Sequence, residues 1–563
     1  MMAFRRSPAK RRRAAVATFT VGCLITSIAA SSAGAAGFPS LSDDELRTLM
    51  SKPIKLPVGP QAEFAAETRS RTNPRLVLVS CAGLTPTIQG TPASETLNGT
   101  PGDDVIQALG GSDTINGGDG ADTICGGGGG DKINGEVGAD FLLGENGDDV
   151  IRGGDGVAFV VGDFLGLPSG SETRKAGRDR IFPGALGSQA VVGDSMILGS
   201  GSSVRSSAPD QITLTGEAAY VVGDSLSITG NSASGGAADR ITLTASGVAT
   251  TLVGDSLLTS NSTGSASGGG NDTITGPGGA VFIAGDSGSD GNASGGGKDL
   301  IKTNAVFMVG DSRGFGGSTI GGGPDKITAF NAFGTNASVT GDSWGETTVR
   351  GGASDTISVA GTGGAVGDSV STATGATVTG GGNDSIKAMS GGTAVGDSVS
   401  AGGDATGGGK DKIVVGGTPP GDREVIGDSR ASGTARGGGR DFIRGGGTRD
   451  KVYADSLAIN GNALLSGSDT VLTGGGPDFV SGDSFSDLGI ATGSGSDLIR
   501  GGPGDDDLRG DHPGAGDSGA GRDKIYGEAG IDFLDGGPLR DLCDGGTGSP
   551  DTQTACEIRI RIP

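Results

Sequence analysis

An apolar residue recurs every nine positions near the start of the repetitive part of the chain, at Leu97, Ile106, Ile115, Ile124, Ile133, Leu142 and Ile151. Each follows an acid by two residues: Glu95, Asp104, Asp113, Asp122, Asp131, Asp140 and Asp149. Glycine fills much of the interval, as in "GGDGADTICGGGGGDKIN" at 117–134. A nine-residue period fits neither an amphipathic helix nor one long alternating strand. It predicts three-residue strands with one inward apolar residue, joined by Gly-rich turns and stacked as parallel coils. Glycine permits the positive φ and close backbone approach that such turns need.

The unit returns at Asp497 and Asp506, then at Asp523, Asp532 and Asp541. Between these blocks two signatures alternate, "GGGxDxI" and "VxGDS", as in "GGGNDTITGPGGAVFIAGDS" at 268–287. The first series places Asp179, Asp210, Asp239, Asp272, Asp299, Asp325, Asp355, Asp384, Asp411, Asp441, Asp469 and Asp497. The second places Asp163, Asp194, Asp224, Asp255, Asp286, Asp311, Asp342, Asp368, Asp397, Asp428, Asp455, Asp483 and Asp511, spaced by 25 to 31 residues with a mean of 29. One expanded coil is therefore expected to carry one D-x-I strand and one V-x-G strand, with lengthened turns. About a dozen such coils, flanked by nonapeptide coils, would stack into a rod on the order of 70 to 90 Å long.

Composition changes this picture by asking what holds the coils together. Of 563 residues 117 are Gly, only 34% are hydrophobic and 4% aromatic, which under-supplies a conventional core of this size. Formal charge is −23, so nucleic acid and anionic membranes are poor partners. The first stretch puts six bases before an apolar run ending in small residues, the layout of a secretory signal cleaved near Ala35 or Ala36. Its removal takes the charge to −29. No later segment is apolar enough to span a membrane. Four cysteines then remain, Cys81, Cys125, Cys543 and Cys556, with three connectivities open. The short loop favours Cys543 with Cys556, which leaves Cys81 with Cys125.

Stacked turns bring aspartates of successive coils together, at a cost unless a cation lies between them. Calcium suits the place, because it accepts six to eight oxygens in irregular geometry, whereas magnesium keeps its waters. The chain here resembles the RTX, or haemolysin-type, calcium-binding repeat family, whose unit is G-G-x-G-x-D-x-U-x. The resemblance implies a parallel β-roll with calcium between its turns. It carries metal-ligand roles onto Asp104, Asp113, Asp122, Asp131, Asp140 and Asp149, and onto Asp497, Asp506, Asp523, Asp532 and Asp541. In the expanded coils the turn from "VxGDS" to "GGGxD" carries two aspartates and most of the glycine. A calcium row is expected on that edge, with the D-x-I aspartates as ligands, and a mostly neutral edge opposite. The competing account for the GDS aspartates is that they hydrogen-bond their own turn, and they are kept out of the ligand set.

An enzyme finds little support. "GDSL" at 223–226 and 254–257 is similar to the motif of the GDSL esterases, which need a D-x-x-H base near the C-terminus. The single histidine, His512, has Arg509 three residues before it and reads as a solvated turn residue. A serine without a positioned base is inert. One histidine also excludes an H-E-x-x-H protease, and no C-x-x-C marks a zinc site. Phe315, Phe330 and Trp344 lie within coils, where packing is the usual role. The Thr runs "ITLT" at 212–215 and 241–244 would suit an ice-binding face, but "SVAG" and "KAMS" interrupt it.

The expectation is an all-β protein, a parallel β-roll or β-solenoid with Gly-Asp-rich calcium-binding turns. Residues 1–36 are a signal peptide and 37–90 an N-terminal cap, with Ser42 starting a short helix and "RLVLVSC" a strand. A regular nonapeptide roll spans 91–156, expanded repeats 157–496, a second nonapeptide block 497–545, and a cap 546–563, whose "CEIRIRIP" closes the edge. The expected function is that of a secreted, non-enzymatic calcium-binding protein that folds as calcium binds. Its role would be structural or adhesive, toward a cell-surface or matrix component. The rival is an extracellular enzyme or carbohydrate-binding protein using the outer faces of the roll.

Overall fold

The structure, a computed structural model, describes residues 81–561 apart from 157, 167–170, 174–175, 185–187, 198–202, 229–230, 246, 260–262, 331–336, 362, 390–391, 418–422, 513–520 and 549. The expected signal peptide, the Ser42 helix and all but the last residue of "RLVLVSC" lie outside the described residues. Within them the chain is all-β, without a helix, and winds into a parallel β-solenoid.

The inward residue of each D-x-I strand pairs with its counterpart one coil on. Leu97 stands on Ile115, Ile115 on Ile133 and Ile133 on Ile151, each 18 residues along, so two nonapeptides make one turn. The column then continues through Ile181, Ile212 and Ile241 at the longer period of the expanded coils. It ends with Ile558–Ile560. A second column starts at Ile88–Gln89, takes up the alternate nonapeptides, and continues through the V-x-G strands Phe159–Val161, Ser188–Val192 and Glu217–Val222.

The expanded coils depart from the two-strand expectation. The long connection from "GDS" to "GGGxD" itself forms two further columns, beginning with Phe164–Gly166 and Ser171–Thr173 and joined in a second parallel sheet. Strands such as Ser195–Ile197, Ser225–Ser227 and Ser287–Ser289 are three residues long and serine-rich, and show no apolar alternation in sequence. Their serines are buried, and Ser225 Oγ donates to the Ser234 carbonyl at 3.0 Å.

Burial explains the composition of the columns. The first exposes one face, so exposed Arg240 alternates with buried Ile241. The second is covered on both faces: Val191 and Val221 face the first column, while Val192 and Val222 pack with Met196 and Leu226 of the third. A strand covered on both faces reads as a continuous apolar run, which is what "AVV" and "YVV" are. Toward the C-terminus the space between third and fourth columns narrows to alanine: Ala405, Ala431, Ala435, Ala458, Ala463 and Ala491. A thin apolar filling in every coil, rather than one large core, reconciles the fold with 34% hydrophobic residues. Both expected disulfides are formed, Cys81 with Cys125 and Cys543 with Cys556.

Candidate metal centre

Each aspartate expected from the nonapeptide and D-x-I patterns is buried, the most exposed being Asp104 at 6%. The backbone puts them there, because each precedes the inward residue of its strand by two and lies on the same side of that strand. They form ladders. Asp113 N–H donates to Asp131 Oδ1 at 2.7 Å, Asp131 to Asp149, Asp149 to Asp179 and Asp179 to Asp210, all at 2.7 Å. The ladder runs through Asp239, Asp272, Asp299, Asp325, Asp355, Asp384, Asp411, Asp441, Asp469, Asp497 and Asp523 to Asp541. A second, shorter ladder joins Asp104, Asp122 and Asp140 on the opposite edge.

That second ladder resumes near the C-terminus, where Asp450, Asp478, Asp506, Asp532 and Asp551 are linked N–H to Oδ1 in turn. Asp506 and Asp532 were expected from the nonapeptide pattern, whereas Asp450, Asp478 and Asp551 were not. The signal was present: Asp450 and Asp478 stand nine residues after Asp441 and Asp469, each with a valine two places on. Where this ladder begins, buried Arg423 takes the place of an aspartate and donates from Nε to Asp450 Oδ1 at 2.7 Å.

Oδ1 is thus used by the fold, and Oδ2 is left over. Oδ2 of Asp131, Asp149, Asp239, Asp272, Asp497 and Asp523, among others, is buried without a hydrogen-bond partner. A buried polar atom left unpaired costs about 1–3 kcal/mol, more when charged. Burial accordingly pushes the Asp149 and Asp523 carboxyls up to about 8. Asp179 and Asp384 go to about 10, again through burial first, with neighbouring aspartates adding. Such an arrangement holds protons or it holds cations.

The GDS aspartates, kept out of the ligand set, enter the same space. They do hydrogen-bond, but to the Gly-rich turn on the far side of their own coil rather than to their local turn. Asp224 Oδ2 accepts from Gly236 N–H and, at 3.0 Å, from Ala237 N–H. Asp255 does the same with Gly269 and Gly270. This brings Asp224, Asp239 and Asp255 together with one oxygen from each within 4.8 Å of the others. The next groups are Asp255, Asp272 and Asp286, then Asp286, Asp299 and Asp311. Glycine is obligatory beside them: a Cβ on Gly223 would lie 1.7 Å from the Gly254 carbonyl oxygen and 2.1 Å from Asp239 Oδ2. The donor set is all oxygen, dense and anionic, which suits a hard divalent ion and excludes a soft one.

His512 packs edge-on to Phe485 with ring centroids 4.5 Å apart, half-buried rather than solvated. Trp344 and Phe315 form an edge contact at 5.8 Å, and buried Arg313 lies over Phe315 at 3.8 Å and Phe282 at 4.1 Å. Phe330 borders an open groove with Thr275, Gly276, Pro277, Lys302 and Asn304, a lining without a carboxylate pair for glycoside chemistry.

The RTX calcium-binding nonapeptide repeat (4 copies) matches residues 89–124, 125–159, 437–456, 465–488, 490–511 and 517–549. The two ends of the solenoid therefore carry RTX repeats, and residues 160–436 lie outside the matched stretches. No curated protein and no solved structure matches the chain.

Proposed function

We propose that this RTX-repeat protein works outside the cell, as a rod that folds when calcium binds, with a structural or adhesive role. That it is a calcium-binding repeat protein follows from the matched repeats. The observation that carries the finer reading is the file of buried aspartates with unpartnered oxygens. Uncompensated, they oppose folding; matched by calcium, they drive it. The charge of −23, or −29 without the leader, keeps the metal-free chain expanded where calcium is scarce. Extracellular modules bind calcium with affinities on the order of 10⁻⁴ to 10⁻³ M, which fits folding after export. The two disulfides support an oxidising compartment.

The proposed ligands are the D-x-I and nonapeptide aspartates of the two ladders. The test is a calcium titration of residues 37–563, followed by circular dichroism and hydrodynamic radius, with magnesium as control. A cooperative gain of β signal with compaction near millimolar calcium, absent with magnesium, is expected. A chain already compact in chelator at neutral pH and indifferent to calcium would sink the proposal. Nothing in the open groove by Phe330 favours the rival enzymatic or carbohydrate-binding reading.

A further inference from the structure

We infer that the expanded coils contain a continuous row of divalent-cation sites inside the roll, in which each GDS carboxylate is shared by two successive ions. This deepens the calcium reading above and rests on it. It concerns residues beyond the RTX-matched stretches, since the five groups described next fall between Asp224 and Asp368.

The first observation is how the groups overlap. Asp224–Asp239–Asp255, Asp255–Asp272–Asp286, Asp286–Asp299–Asp311, Asp311–Asp325–Asp342 and Asp342–Asp355–Asp368 are five, and two more exist. Every middle member is a D-x-I aspartate belonging to one group. Every outer member is a GDS aspartate, and Asp255, Asp286, Asp311 and Asp342 each serve two groups. The second observation is independent of proximity. In these groups Asp224, Asp255 and Asp286 leave Oδ1 without a partner, and Asp239, Asp272 and Asp299 leave Oδ2. All six residues are between 0% and 2% exposed. The oxygen not bonded to a glycine turn or to the ladder is the one left for an ion.

Charge selects the valence. Each coil adds one GDS and one D-x-I carboxylate, so one divalent ion per coil neutralises the row, while a monovalent ion leaves half the charge buried. Successive ions then lie about 4.8 Å apart, the coil spacing, and only a shared carboxylate between neighbours offsets repulsion at that distance. Dry surroundings favour calcium over magnesium, which dehydrates reluctantly.

The test counts calcium bound per chain by equilibrium dialysis and atomic emission at neutral pH. Asp286→Asn keeps an oxygen for the Gly297 N–H, which Asp286 Oδ2 now accepts at 3.0 Å. It is expected to lower the count by about two, since Asp286 serves two groups. Asp272→Asn, serving one, should lower it by about one, and Ser287→Ala by none. An unchanged count in Asp286→Asn, with a lowered count in Asp131→Asn of the nonapeptide block, refutes the row and leaves the proposed function standing. A wild-type chain that binds no calcium refutes both. Should Asp286→Asn not fold, terbium luminescence decay of the wild type in H₂O and D₂O decides. A class of ions without coordinated water supports the row, and water on every bound ion overturns it.

Discussion

In the presence of a chelator, the roll is expected to be compact in mild acid and expanded above neutrality. The perturbation is pH alone, acting on carboxyls that the fold buries. Asp149 and Asp523 are each raised from 3.8 to about 8, chiefly by burial, against hydrogen bonds from Asp131 and Asp497 that work the other way. A shift of that size means that ionising each group costs the fold about 6 kcal/mol. Two such groups already match the net stability of an ordinary domain, about 5–15 kcal/mol. The sign follows from proton binding. Between about pH 4 and pH 8 the folded chain keeps protons that the unfolded chain has released. Stability is therefore present in full below pH 4 and is lost as pH rises toward 8. Calcium is expected to replace those protons, so adding it to the compact, metal-free chain near pH 5 should release protons into weakly buffered solution, whereas at pH 8 the expanded chain has already lost them. Size is the simplest assay. An expanded chain of this length has a radius of gyration of about 90 Å, against on the order of 30 Å for a rod of stacked coils. Small-angle scattering in chelator at pH 4.5 and pH 8, then at pH 8 with calcium, gives the three states. A chelated chain equally compact at both pH values would refute the reasoning, because the buried carboxyls would then carry no cost.

Two substitutions test the close approach and the ladder start. Gly223→Ala should cost several kcal/mol, since its Cβ would meet the Gly254 carbonyl and the Asp239 carboxylate, whereas Gly269→Ala, with open space around it, should change stability little; thermal unfolding in saturating calcium compares them. Arg423→Met leaves Asp450 buried without its partner and should cost about 3–5 kcal/mol. Adding Asp450→Asn should return most of that loss in the same measurement.

The local sequence determined a good deal of this protein. A nine-residue period with one apolar residue per unit admits only short strands, and parallel stacking is how such strands bury that residue. The positions of the D-x-I aspartates and their burial follow from that register, while the cysteine pairing followed from the short loop between Cys543 and Cys556. Asp450 and Asp478 were legible too, each nine residues after a recognised aspartate, but the GDS insertions hid the second unit of their coils. What the tertiary structure alone decided is where the long connections go. Nothing in "GDSLS" or "GDSGS" announces a strand, because these segments owe their conformation to the coil beneath rather than to their own alternation. Once they fold back as third and fourth columns, Asp224 comes to face Asp239 of its own coil and Asp255 of the next. Periodicity specifies which residues stack directly above one another. It carries no information on which distant turns of one coil meet across it, since that depends on how much chain lies between them and what those residues pack against.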